Sequence, residues 1–351
     1  MLLLLSPGLS AQNAGFSPRM ELMYAPPIHL SGEVDSNSPA IWDRANGRNQ
    51  LFVMTSMSGR PSTASGSDLQ SLAAPRQVVV DPWPGGGVWM EAVTQDVDGT
   101  WYGYYHNEIA ALICRTEVKA IPRIGAARSR DRGLTWEPLG VVLEAPPRTY
   151  DCTTNNQYFV GGVGDFSVQL DPASRDLYFF YSTYVRQGRL QGVAVARLAW
   201  ADRDAPAGKI MVWQNGIWIP ASSMTVGRML RWTYPAATPV FLTTESWHDD
   251  DTKVDAFWGP SVHWNTYLRQ YVMLLNRAKD ERFQQEGIYV SFSPSLGNPD
   301  LWSEPIKILN GGKWYPQIIG LEEGSGTDKI AGEVARFFMA GVSQYRIRFI
   351  K

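Results

Sequence analysis

The chain has 351 residues, with 32 Lys and Arg against 34 Asp and Glu, a formal net charge of −2 and only 19% charged residues. Its 32 Gly, 23 Pro and 12% aromatics describe a turn-rich globular β-protein, without the basic stripe of a nucleic-acid binder or an acidic tail. Two cysteines and four scattered histidines offer no zinc spacing, and no phosphate-loop, dinucleotide or nucleophile-elbow motif occurs.

The chain opens with Met1 to Leu5, an apolar run followed by the small residues Leu9-Ser10-Ala11. Residues 1–12 read as the remnant of a secretory signal or as a chance apolar start, and residues 20–351 as one domain. No other segment approaches the ~18 continuous apolar residues of a membrane span.

Five times a short apolar strand is followed, after a variable turn, by a second strand rich in aromatic and apolar residues. The pairs begin at Ser38 and Leu51, Trp89 and Trp101, Asp165 and Leu177, Gly259 and Tyr271, and Tyr315 and Arg336. Strands repeating at this spacing without helices predict an all-β fold, a five-bladed β-propeller of four-stranded antiparallel blades. Further strands are expected at Ile124–Arg128, Leu139–Leu143, Gly192–Ala196, Ile210–Trp213, Gly287–Phe292 and Pro305–Ile308, and the first blade is expected to end near Gln77–Val80. The fifth blade stops after Tyr345–Phe349, so a strand near Glu21–Tyr24 is expected to close it from the N-terminus and remove an open sheet edge. The segment from Ile217 to Val254 reads as a long irregular polar loop, of the kind that serves function or acts as a lid. Cys114 and Cys152 flank the outer part of the second repeat, either as a disulfide across a rim loop or as two buried thiols.

Ser129-Arg130-Asp131-Arg132-Gly133-Leu134-Thr135-Trp136 resembles the S-x-D-x-G-x-T-W box of sialidase-like propellers, with a weaker echo from Ser293 to Trp302. Such a box is a tight turn between outer strands, a mark of fold and not of catalysis. Gly164-Asp165-Phe166-Ser167-Val168 and Gly259-Pro260-Ser261-Val262-His263-Trp264 resemble the inner strands of five-bladed glycoside hydrolases such as families 43, 32 and 117. The resemblance covers essentially the whole chain at the level of architecture. It implies acidic residues at the starts of the innermost strands of the first three blades; no one family's full motif set is reproduced, so the substrate does not carry over.

Glycoside hydrolysis requires two carboxyl groups flanking the scissile bond. Asp35, just before the first inner strand, is the candidate base or nucleophile, or else a turn aspartate. Asp165 opens the third inner strand behind a glycine-rich run, where a charge is costly to bury without a role. Glu108 ends the second strand of blade 2 and is the candidate acid. Glu91, inside the first strand of that blade, is the other candidate acid or a substrate contact. His106, Asn107, His248, Asp255, Trp258, Asn276 and Arg277 are candidate substrate-binding residues. His248 belongs to the loop Glu245–Asp251, whose acidic triplet lacks the spacing of a calcium loop. His263 is read as a core histidine or the ligand of an axial metal, and otherwise no metal or cofactor is expected. The function read from the chain is therefore a secreted or periplasmic, monomeric glycosidase. The alternatives are a non-catalytic carbohydrate-binding propeller and a protein-binding scaffold.

Overall fold

The computed structural model describes residues 19–32, 34–45, 47–226, 229–249 and 254–351. The apolar start at 1–12, and Asp250 and Asp251 of the acidic triplet, lie outside the described residues. Among those described, no helix is long and apolar enough to cross a membrane.

The strands form five antiparallel sheets arranged as a ring of five blades. Blade I comprises Ala40–Ala45, Arg48–Met57, Arg60–Gly66 and Arg76–Gln77; blade II comprises Gly87–Gln95, Trp101–Ala110, Ala120–Ser129 and Thr135–Leu143. Blade III runs from Val163–Leu170 through Asp176–Thr183, Gly192–Ala199 and Met211–Gln214 to Ile217–Pro220. Blade IV holds Phe257–Asn265, Gln270–Ala278, Gln285–Ser293 and Ile306–Asn310. Blade V holds Gln317–Gly320, Val334–Met339 and Val342–Ile350, and the N-terminal strand Arg19–His29 completes it, with Leu22 opposite Ile347. The expected closure is present.

The ring packs because its central strands are apolar on both faces. In Asp176–Thr183, Leu177, Phe179 and Tyr181 pack toward blade II, while Tyr178 and Phe180 pack toward blade IV. Side chains alternate across a strand, so a strand covered on both sides reads as one continuous apolar run. Similar clusters fill the other junctions: Phe52 and Met54 with Val88 and Met90, Leu274 with Phe337, and Val53 with Phe338.

Two expectations about strands need correction. Val79–Val80 leaves blade I and pairs in parallel with Thr135–Trp136 of blade II. The segment from Ile217 is not irregular at its start. Asn215 (φ 49°) and Gly216 (φ 84°) form a two-residue turn that pairs Gln214 with Ile217, giving blade III a fifth strand. Ser222–Val226 and Met229–Thr233 then form a separate hairpin. An Asn-Gly step is a strong hairpin signal, because both residues accept positive φ.

Polar side chains tie the blades across the axis. Asn37 Nδ2 donates to the carbonyls of Phe166 (2.9 Å) and Pro260 (3.0 Å), and Gln317 exchanges two hydrogen bonds with the backbone of Ser38. At the far ends of the inner strands, Gln169 Nε2 donates to Val262 O (2.6 Å) and Lys329 Nζ to Val93 O (2.7 Å). The turn at Ser129–Trp136 lies on outer strands of blade II. There Asp131 accepts the amides of Leu134 and Thr135, and Trp136 is buried in the blade I–II junction.

Candidate active site

The inner strands present acids to the axis through irregularities in their ladders. In blade II the pairing shifts between Met90 and Ala92, leaving Glu91 as the extra residue. In blade III it shifts between Gly164 and Phe166, leaving Asp165, which holds φ 41°. A bulge of this kind re-aims one side chain out of the alternation. A left-handed conformation at a non-glycine residue is strained, a feature that collects at functional sites.

A cavity of about 190 Å³ opens at the axis beside these bulges. Asp35, Glu108, Asp165 and His106 supply its polar lining. Trp89 flanks Asp35, and Tyr158, Phe159, Trp258, Phe283, Trp314 and Tyr315 form the remainder of the wall. The aromatic wall is continuous. Tyr158 lies 5.9 Å from Phe283 and 6.1 Å from Trp314, and Trp258 lies 5.2 Å from Phe283 and 5.5 Å from Trp314, centroid to centroid. Among the described residues, no lysine or arginine lines the cavity.

Asp35 is held at both oxygens: Trp89 Nε1 donates to Oδ1 (2.6 Å) and the Ser58 amide to Oδ2 (3.1 Å). Burial raises its pKa, and the two hydrogen bonds act in the opposite sense. Asp165 is buried and accepts hydroxyls from Tyr184 and Tyr315, the latter at 3.2 Å. Burial raises its pKa too, against the nearby His106. Glu91 lies deeper and does not line the cavity. Its Oε2 accepts the Phe166 amide (2.5 Å), and its Oε1 is buried without a partner. Burial first, then the charge of Asp165, push its pKa well above the usual carboxyl value.

His106 links these groups. Its Nδ1 accepts the Asp165 amide (2.9 Å), so the ring proton sits on Nε2, 3.2 Å from Glu108 Oε1. Burial opposes a charge on this ring. The hydrogen bond to Glu108 and the charges of Asp165, Glu108 and Glu91 outweigh burial and bring its pKa up to about 9. The Asp165 amide opposes this rise, because a second proton on Nδ1 would face a donor. Gly164 makes this approach possible: a Cβ there would sit 2.4 Å from the His106 ring.

The ligand-type atoms of Glu91, His106 and Asp165 lie within 4.8 Å of one another. These atoms are already engaged by amides, hydroxyls and Glu108, apart from Glu91 Oε1, so the donor set fits a hydrogen-bonded network better than a metal shell. His263 lies elsewhere, at the blade IV–V junction against Phe349, with both ring nitrogens unpartnered. Burial pushes its pKa down to about 3. Among the described residues it belongs to no cluster of metal-ligating groups.

Of the residues expected to bind substrate, His106 and Trp258 line the cavity. The others are taken up by the fold. Asn107 donates to the carbonyls of Gly85 and Gly87, and Asn276 to those of Trp258 and Gly259. His248 bridges Thr154 and the Tyr184 carbonyl, and Asp255 caps the turn at Thr244 and Glu245. Arg277 lies over the rings of Phe257 and Tyr289. Strand-end position marked these residues, but a side chain at such an end faces a neighbouring loop as readily as the axis. The sequence reading missed Trp89, Tyr158, Phe159, Phe283, Trp314 and Tyr315. Trp314-Tyr315 at the start of the fifth inner strand was the one available signal. Cys114 and Cys152 are bridged, pinning the segment that carries Tyr158 and Phe159 to the end of a blade II strand.

The fold and site together define a five-bladed β-propeller with an acidic, aromatic-walled axial pocket. No protein-family model and no curated protein sequence matches the chain. Among solved structures, it is similar to the endo-arabinase from Bacteroides thetaiotaomicron, at 10% identity over 92% of this chain and 98% of that one, with a TM-score of 0.52. It is also similar to an exo-1,5-α-L-arabinanase from a bovine ruminal metagenomic library, at 12% identity over 90% and 94%, with a TM-score of 0.50. At these identities the likeness is one of fold.

Proposed function

We propose that the chain is a glycoside hydrolase acting on a poly- or oligosaccharide through paired carboxylates in the axial pocket. The observation that carries this reading is that Asp35 and Glu108, from different blades, face one cavity with aromatic walls. One carboxyl must protonate the leaving oxygen while the other attacks or activates water. Asp35 suits the base or nucleophile, since both its oxygens accept N–H groups that favour the charged form. Glu108 suits the acid, and His106 Nε2 at 3.2 Å holds its carboxyl in place. Asp165, held by two tyrosines, orients His106 and substrate. Aromatic faces stack on the apolar faces of a sugar. The Cys114–Cys152 bridge supports an oxidising, extracytoplasmic location.

The test is a hydrolysis screen over plant and bacterial polysaccharides, starting with linear arabinan, that compares wild type with Asp35→Asn and Glu108→Gln. Glu108→Gln is expected to lose polysaccharide hydrolysis yet retain most activity on an aryl glycoside whose leaving group needs no proton. Asp35→Asn is expected to lose both. Wild-type rates in both variants would refute the assignment.

A further inference from the structure

A groove between blades V and I holds two arginines that, among the described residues, form no ion pair with an acid. Arg336 on Val334–Met339 and Arg346 on Val342–Ile350 stand directly opposite each other in the sheet. Like charges at such a position weaken the pair. Arg336 is 3% exposed. Its Nη2 donates to the carbonyls of Pro26 (2.5 Å) and Ser343 (3.4 Å), and its Nε is buried without an acceptor. Among the described residues, neither arginine forms a salt bridge. Burial, then the charge of Arg346, push the Arg336 pKa below its ordinary value, but a guanidinium remains protonated. A buried cation without an opposite charge is costly, and protein structures ordinarily pair it.

Both arginines line a cavity of about 250 Å³ together with Trp42, Leu69, Gln70 and Leu321. The indole N–H of Trp42 donates to Gly326 O (2.8 Å), which fixes the ring against this wall. Asp68 also borders the cavity. Its carboxylate accepts the hydroxyl of Ser67 and the amides of Gln70 and Ser71 and forms no ion pair with either arginine. The axial pocket, by contrast, is lined among the described residues by acids and by no arginine or lysine.

We propose that this groove is a second ligand site, separate from the axial pocket, that takes a carboxylate borne on a small ring, as in a uronic acid. The two guanidinium groups hold the carboxylate, and Trp42, Leu69 and Leu321 cover the ring. A free phosphate shares the oxyanion chemistry but makes no use of the apolar wall.

The test is isothermal titration calorimetry of the full chain with sodium galacturonate, galactose and inorganic phosphate at constant ionic strength. One galacturonate per chain is expected, bound more tightly than phosphate, with no heat from galactose at this site. Arg346→Gln removes an exposed side chain and relieves the like-charge pair, so it is expected to fold. It should weaken galacturonate at least about tenfold, the usual effect of losing a charge-assisted hydrogen bond. Glu108→Gln should leave this binding unchanged. No galacturonate binding by wild type, an unaltered affinity in Arg346→Gln, or loss in Glu108→Gln would overturn the site. Phosphate binding as tightly as galacturonate would overturn the ring-borne carboxylate.

Discussion

Glu91→Gln is expected to stabilise the fold at pH 8 and to leave it nearly unchanged at pH 4.5. Glu91 is 2% exposed and shares its burial with Asp165, which together push its pKa well above the ordinary 4.5. A carboxyl with a raised folded pKa binds its proton more tightly in the native state than in the unfolded chain. Its full contribution is therefore present below the unfolded pKa and is lost as pH rises toward the folded one. Each unit by which the folded value exceeds the unfolded one costs about 1.4 kcal/mol at a pH above both. Gln keeps an acceptor for the Phe166 amide, matches the shape and cannot ionise. For a chain of this size about 1.4 kcal/mol corresponds to roughly 2 °C in Tm. Thermal melts of wild type and variant from pH 4.5 to 8 measure the difference. Two curves with a constant offset across that range would show that Glu91 does not titrate as a buried acid, and the reasoning would be wrong.

The other predictions concern the pocket and its supports. If ionised Asp35 is required, kcat/KM falls on the acid side, and Trp89→Phe should move that limb to higher pH, because the lost indole hydrogen bond favours the carboxylate; an unmoved limb would separate Asp35 from the rate. Gly164→Ala should lower kcat, since its Cβ displaces the His106 ring from the Asp165 amide; unchanged pH–rate profiles and rates would argue against a role for this link. Replacing both Cys114 and Cys152 with Ala should destabilise the fold by up to ~4 kcal/mol, from the chain entropy of a loop spanning 38 residues. It should also raise KM by loosening the segment bearing Tyr158 and Phe159. A melting temperature equal to wild type would exclude this contribution.

The blade count and the order of strands were legible in the sequence because a strand buried on both faces must be apolar throughout. Leu177–Tyr181 and Val272–Leu275 can hardly be anything else. The closing strand near Glu21–Tyr24 was legible for a related reason, since a three-stranded last blade leaves an edge that must be covered. Asp35, Glu108 and Asp165 could be picked out because a propeller gathers strand ends at one face, and they do line one cavity. Tertiary structure alone decided which polar residues remain free for a ligand. Asn107, Asn276, His248 and Asp255 sit at comparable places in the chain, yet backbone groups from neighbouring segments consume their hydrogen bonds. Only tertiary structure could place Glu91 behind the wall and Asp165 at it, since a one-residue bulge in each strand sets the aim of the side chain. It also drew Tyr158, Phe283 and Trp314 from three separate segments into a single wall. Strand formation follows from local alternation of side chains, whereas the pocket follows from contacts among residues more than a hundred positions apart, which no local pattern encodes.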